Sequence, residues 1–248
     1  MELPDASCKP CARTINDYEW TVGRWIFGDF RIRHNLRSKR PKKQRPQTIE
    51  VEFRRKDGGT FAKTISRSEF PAPLFMYKFG TANQFLGLPP GTGVFDWSPY
   101  VISSDDEMRA FHAKHGKSVH RVKMVPVALA RMLGKIGHAY AVAEWGYESF
   151  HPSQHNLDTI LRRTDDVAFT VGAESELKPP IPNAGHITAI SLQIEPPQPP
   201  LLIVLVRLFA SIPTPDFHVI AGTIDLQNPQ HLAALTQKMQ NAESIEPF

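Results

Sequence analysis

Three segments decide the fold class: HITAISLQI at His186–Ile194, LLIVLVRLF at Leu201–Phe209 and FHVIAGTI at Phe217–Ile224. The first alternates apolar and polar side chains, the pattern of a strand with one buried face. The second is apolar but for Arg207. It is far shorter than the ~20 residues that span a bilayer, so it reads as a buried strand. Pro196-Pro197-Gln198-Pro199-Pro200 joins the first two as a stiff connector. Just upstream, residues 127–146 place Leu129, Ala130, Leu133, Ile136, Gly137, Tyr140 and Ala143 along one helical face. Pro126 suits the first position of that helix, and its small residues predict close packing against another element. Asn228-Pro229 opens a C-terminal helix over 229–240. A strand-rich stretch, 186–225, flanked by helices predicts an α+β fold with antiparallel sheet.

The N-terminal part adds further elements. Thr14 can cap a helix running to the low thirties, with Ile15, Tyr18, Val22, Trp25, Ile26 and Phe30 on its apolar stripe. Gly23 and Gly28 weaken that helix by ~1 kcal/mol each and allow a bend. Ile49-Val51-Phe53, Asp57-Gly58-Gly59 and Phe61 to Ile65 form the pattern of a β-hairpin. Residues 67–100 are rich in Pro, Gly and aromatics and predict ordered loop with short strands. Ser104-Asp105-Asp106-Glu107 is a capping box, and Gly116 ends the helix that follows. A strand is expected at Val119–Val125, a short helix near 156–163 and a strand near 167–171.

Composition sets the outer bounds. A chain of 248 residues with 41% hydrophobic content can bury a sizeable core, and its 22 prolines cluster in connectors. The organisation predicted is an N-terminal part, 1–46, followed by an α+β body, 47–248. Two cysteines do not make a disulfide scaffold and fit a reducing cytoplasm. Met1–Asp5 has no basic or apolar leader pattern, so no signal peptide is expected, and the longest apolar run, Leu201–Ala210, is too short for a membrane span. The net charge is only +4, but it is unevenly placed.

Cys8-x-x-Cys11 contains the chain's only two cysteines. Two thiolates three residues apart can share a metal, yet a structural zinc takes four ligands. Here they form a half-site, with no second Cys pair and no His-x3–5-His at finger spacing. Three readings stand: a zinc completed by ligands from elsewhere or from a partner, a redox pair, or two thiols without a metal. The basic run is denser. Arg31, Arg33, Arg37, Lys39, Arg40, Lys42, Lys43 and Arg45 put eight cations in fifteen residues with no acid among them. If all met phosphates, the salt slope of binding would approach about 7. The alternative is a solvated charged loop. Arg54, Arg55 and Lys56 could extend the patch, and no base-reading motif accompanies it. Lys135 and His138 lie three apart on the 127–146 helix, either as a half-buried site or on a solvated stripe. Gly87-x-x-x-Gly91-x-Gly93 lacks the Lys-Ser/Thr of a phosphate loop.

Some of these residues fit a family pattern. Leu3-Pro4-Asp5-Ala6-Ser7-Cys8-Lys9-Pro10-Cys11-Ala12, Glu19 and Arg40-Pro41-Lys42-x-x-Arg45-Pro46 resemble the region following the zinc and histidine motif of bacterial HNH endonuclease-like proteins. Ala130 to Ala143, Val206 to Ala210 and Pro215 to Gly222 are similar to later parts of the same group. The resemblance implies a treble-clef helix after Cys8 and Cys11, with those two as its second zinc-ligand pair. The upstream pair and the general-base histidine have no counterpart, because the chain begins too late to contain them. The expectation is therefore a nucleic-acid-associated protein without a complete nuclease centre on this chain. The rival expectations are a protein-interaction or structural accessory module, and an enzyme with its site near Lys135 and His138.

Overall fold

The computed structural model describes residues 8–33, 47–71, 73–119, 123–194 and 199–243. The chain is α+β, as its strand and helix patterns predict. It divides into two compact units interleaved along the sequence. The larger comprises Met1–Glu19, Lys78–Ser98 and Pro126–Phe248; the smaller comprises Trp20–Tyr77 and Pro99–Val125. The boundary expected at residue 46 lies outside the described residues.

The helices are α1 (Lys9–Trp25), α2 (Gly28–Arg33), α3 (Asp105–His115), α4 (Pro126–Trp145), α5 (Gln154–Ile160) and α6 (Pro229–Glu243). The strands are β1 (Thr48–Arg54), β2 (Thr60–Ser66), β3 (Leu74–Phe79), β4 (Trp97–Ile102), β5 (Ser118–Val119), β6 (His151–Pro152), β7 (Val171–Ala173), β8 (Ile187–Gln193), β9 (Leu201–Arg207) and β10 (Phe217–Thr223).

The larger unit is built on the three segments read first. β8, β9 and β10 pair antiparallel in sequence order, with Ile190 opposite Val204 and Val219 opposite Val204 on the other side. The far edge of β10 takes two short strands, β6 at Gly222 and Thr223 and β7 from Phe217 to Val219. Leu202, Val204, Val206, Phe217 and Val219 are fully buried, as are Leu129, Ala130, Leu133 and Ala141 of α4. The helix comes close because of Gly137. A Cβ there would lie 2.6 Å from Val219 Cβ, inside any tolerable contact. The small-residue content of α4 is thus what lets it approach the sheet.

The smaller unit holds the hairpin. β1 and β2 run antiparallel from Thr48 opposite Ser66 to Arg54 opposite Thr60, and β5 adds to the other edge of β1. Val51, Phe53, Ile65, Phe70 and Phe111 make its core. The Phe53 and Phe70 rings lie 5.9 and 5.7 Å from that of Phe111, which α3 contributes. Ser104 caps α3 as the sequence predicts, its hydroxyl accepting from the Glu107 N–H at 3.3 Å, and Gly116 closes it at φ 92°.

Several local expectations are corrected. The first helix begins at Lys9, capped by Cys8 and not by Thr14; Thr14 lies inside it and donates its hydroxyl to Pro10 O at 3.3 Å. It breaks after Trp25, and α2 resumes at Gly28. Trp25 leaves the apolar stripe and is exposed, because Tyr18, Val22 and Ile26 already fill the buried i, i+4, i+8 line. Of the strand expected at Val119–Val125, β5 covers only Ser118 and Val119, and residues 120–122 lie outside the described ones. The helix expected near 156–163 is α5, two residues earlier. The strand expected near 167–171 is a 3-10 turn, Val167–Phe169, followed by β7.

Candidate functional site

Charge is sorted between the two units. Of the 29 Lys and Arg residues, 19 fall in the smaller unit, with eight of the 25 Asp and Glu, which sets it at +11. The larger unit has ten bases against seventeen acids, a formal charge of −7. The overall +4 conceals this division. Among the described residues, acids of the smaller unit are engaged by its own bases: Glu69 by Lys114 at 3.0 Å, Asp106 by Arg109 at 2.5 Å and Glu107 by Arg33 at 3.5 Å. Lys114 holds the Glu69 carboxyl below its ordinary range.

The basic run enters this unit from α2. Arg31 and Arg33 form its last turn. Arg33 is partly committed, donating to Ser68 O and to the Glu107 carboxylate. Arg37, Lys39, Arg40, Lys42, Lys43 and Arg45 lie outside the described residues. Beyond them, Arg54, Arg55 and Lys56 are exposed where β1 runs into the hairpin turn. The Arg55 guanidinium lies 5.7 Å from the centroid of the exposed Phe61 ring across that turn.

A second surface of this unit was not anticipated. Trp20 is 56% exposed and Trp25 is 39% exposed. The Arg24 guanidinium sits 5.0 Å from the Trp20 ring and 5.5 Å from the Trp25 ring, and Lys123 Nζ is 5.7 Å from the Trp25 ring. Each such contact stabilises by about 0.5–1 kcal/mol in the open. The arrangement fixes flat aromatic faces among cations. The sequence signal was Trp20 and Arg24 at i, i+4, two positions off the buried line.

The thiol pair belongs to the larger unit. Cys8 is exposed and Cys11 half-buried, with 2.9 Å between their sulfurs. Among the described residues no group of three or more His, Cys, Asp or Glu converges as a metal site. The pair supplies half of the four donors a structural zinc takes.

Lys135 is ion-paired with Glu19 at 2.5 Å. Arg131 is buried and ties the end of α5 to the loop after it, donating to Thr159 O at 3.1 Å, Thr164 O at 3.0 Å and the Asp165 carboxylate. Burial holds His138 below the ordinary imidazole range, and its Nδ1 has no hydrogen-bond partner among the described residues. A cleft of about 340 Å³ opens further along α4, lined by Tyr140, Glu144, Trp145, Ile190, Leu192, Leu235 and Lys238; neither Lys135 nor His138 lines it.

Three other histidines of this unit share one job. His186 Nδ1, His218 Nε2 and His231 Nδ1 each accept a backbone N–H at 3.1 Å, from Phe209, Ala82 and Asp225 respectively. An imidazole can accept only when neutral. Burial holds all three below the ordinary value, His218 at about 4. They are structural acceptors. Gly172 makes the His218 bond possible, because a Cβ there would overlap His218 Nε2 and Ala82 N.

No protein family, curated protein or solved structure matches this chain. Among the described residues no helix is long and apolar enough to cross a membrane.

Proposed function

We propose that the protein is nucleic-acid-associated and that the smaller unit is its binding surface. The observation that carries the reading is the charge sorting, +11 against −7, which a chain at +4 overall does not require. A strongly basic unit attracts a polyanion and gains affinity by releasing its counterions. The exposed aromatics point the same way. Trp20 and Trp25, spaced by Arg24, offer stacking faces beside cations, the combination that holds unpaired bases without reading their sequence. Contacts are then chiefly to the backbone, and single strands are preferred over duplex. The reading keeps the HNH-like resemblance as its family expectation, sets the protein in a reducing cytoplasm, and assigns no cleavage step to any residue.

The test is the affinity of the full chain for a labelled single-stranded oligonucleotide and its duplex as salt is varied. The expected outcome is tight binding at low salt and a steep linear decline of log affinity with log salt. Arg37, Lys39, Arg40, Lys42 and Lys43 replaced together by Ala flatten that slope. A slope unchanged by the replacement rejects the basic run as the contact. Absence of appreciable affinity at physiological salt, together with recovery of a stable protein partner, transfers this surface to the accessory-module reading.

A further inference from the structure

Cys8 and Cys11 occupy a position that neither the nucleic-acid reading nor a half-filled metal site explains. Cys8 is the cap of α1. Its carbonyl accepts the first helical hydrogen bond, from the Ala12 N–H at 2.9 Å, and its sulfur accepts from the Cys11 N–H at 3.4 Å. A sulfur in the cap position sits where unpaired amides and the positive end of the helix dipole favour a thiolate. Pro10, between the two cysteines, suits the first turn because no intrahelical acceptor waits for an N–H there. One turn in, the Cys11 sulfur is turned back onto that of Cys8, at 2.9 Å.

The two thiols are unlike each other. Cys8 is exposed at the helix start and its sulfur accepts the Cys11 N–H, whereas Cys11 is half-buried one turn in. The outer sulfur is thus the one an outside disulfide can reach, and the inner one waits behind it at 2.9 Å. The helix carrying them is firmly seated. Tyr18 is fully buried, Asp17 pairs with Arg162 at 2.6 Å and Glu19 pairs with Lys135 at 2.5 Å. No other cysteine exists in the chain to compete for a partner.

We propose that Cys8 and Cys11 are a thiol–disulfide exchange pair, with Cys8 the attacking thiol, Cys11 the resolving thiol, and an accessible disulfide as the substrate class. The Cys8 thiolate attacks one sulfur of R–S–S–R′. A Cys8–S–R bond forms, the substrate S–S bond breaks, and R′S⁻ leaves and takes a proton from water. Cys11 loses its proton to water and attacks Cys8 Sγ. The Cys8–Cys11 bond forms and RS⁻ leaves to be protonated. Two electrons pass from the protein dithiol to the substrate. The protons released by the two cysteines balance those taken up by RSH and R′SH.

The experiment equilibrates the full reduced chain in buffers of glutathione and glutathione disulfide, quenches with acid, and measures free thiols and mass after alkylation. A single intramolecular disulfide, formed over one two-electron transition, is expected, with Cys8 alkylated at neutral pH at least about five-fold faster than Cys11. Cys11→Ser accumulates a mixed disulfide on Cys8, whereas Cys8→Ser does not accumulate one on Cys11. A parallel arm offers a cystine-bridged peptide. Faster exchange with the peptide assigns a protein disulfide as substrate, and faster exchange with glutathione disulfide assigns a small molecule. The proposal is overturned by equal alkylation rates with no Cys8–Cys11 disulfide at any buffer ratio. It is equally overturned if the purified protein retains stoichiometric zinc with both thiols protected. Neither result depends on the nucleic-acid reading.

Discussion

The two units of this chain solve opposite problems with the same kinds of residue. In the larger unit, polar groups are turned inward and used up: Arg131 on two backbone carbonyls and Asp165, and His218 on Ala82. In the smaller unit, Arg24, Arg54, Arg55 and Lys56 are exposed, and Trp20 and Trp25 are exposed with them. An arginine spent on buried carbonyls is structural; one laid over an open tryptophan is available to an outside partner. The same contrast appears in net charge, −7 against +11. Residue type alone does not distinguish the two uses, but the surroundings of each side chain do.

The comparison breaks most sharply on affinity. Removing the five bases Arg37, Lys39, Arg40, Lys42 and Lys43 should lower the salt slope by about 3.5 on a single strand, or about 4.5 on duplex, and low-salt affinity by more than ~100-fold. Lys178→Ala with Lys238→Ala, in the larger unit, should leave both unchanged. Equal losses in the two variants, read by oligonucleotide titration, would mean that the sorting of charge has no bearing on binding.

Stability should respond in the larger unit. Gly137→Ala forces a Cβ against Val219 and is expected to cost about 1–3 kcal/mol, measured by urea unfolding. A replacement without cost would show that α4 can lift from the sheet. The same unit should be acid-sensitive. His218 is held at about 4 against an ordinary 6.5, so the unfolded chain binds a proton in that window that the folded one refuses. Stability is full above pH 6.5 and falls as pH drops toward 4, by about 3 kcal/mol in all. His218→Gln should flatten that part of the profile, and an unaltered profile would remove His218 as its source.

The smallest effects are at the surface. Trp20→Ala should weaken single-strand binding by about ten-fold, with little change for duplex. Equal loss on both would turn the tryptophans from stacking faces into scaffold. Glu19→Gln breaks a half-exposed ion pair and should change stability by less than about 1 kcal/mol.

Much of the fold was legible because its signals are local. The hairpin announced itself through alternation around Asp57-Gly58-Gly59, and α3 through Ser104 and Gly116. Pro126 and the period of apolar residues located α4 to within a residue at each end. The candidate site was legible only in part. The basic run was plain from composition. The Trp20–Arg24–Trp25 surface was not, because an aromatic at helical spacing reads as core until the buried line is known. Cys8 was likewise read without its role as a cap, since Thr14 offered a better residue type at a later position. Which residue caps a helix depends on where the chain turns into it, and Lys9 and Pro10 begin the helix sooner than propensity suggests.

By itself the sequence determined the element types, the antiparallel succession of β8, β9 and β10, the dense basic run and the pairing of two thiols one turn apart. Each follows from dihedral preference, side-chain period or charge, which act over a few residues. Tertiary structure alone decided that two stretches, Trp20–Tyr77 and Pro99–Val125, make one unit carrying a surplus of eleven positive charges. It alone decided that β6 and β7 share one edge of β10, and that three histidines are held neutral as acceptors. Those outcomes depend on which distant segments exclude water together. Burial, and with it the state of every titratable group, is a property of contacts and not of neighbours in the chain.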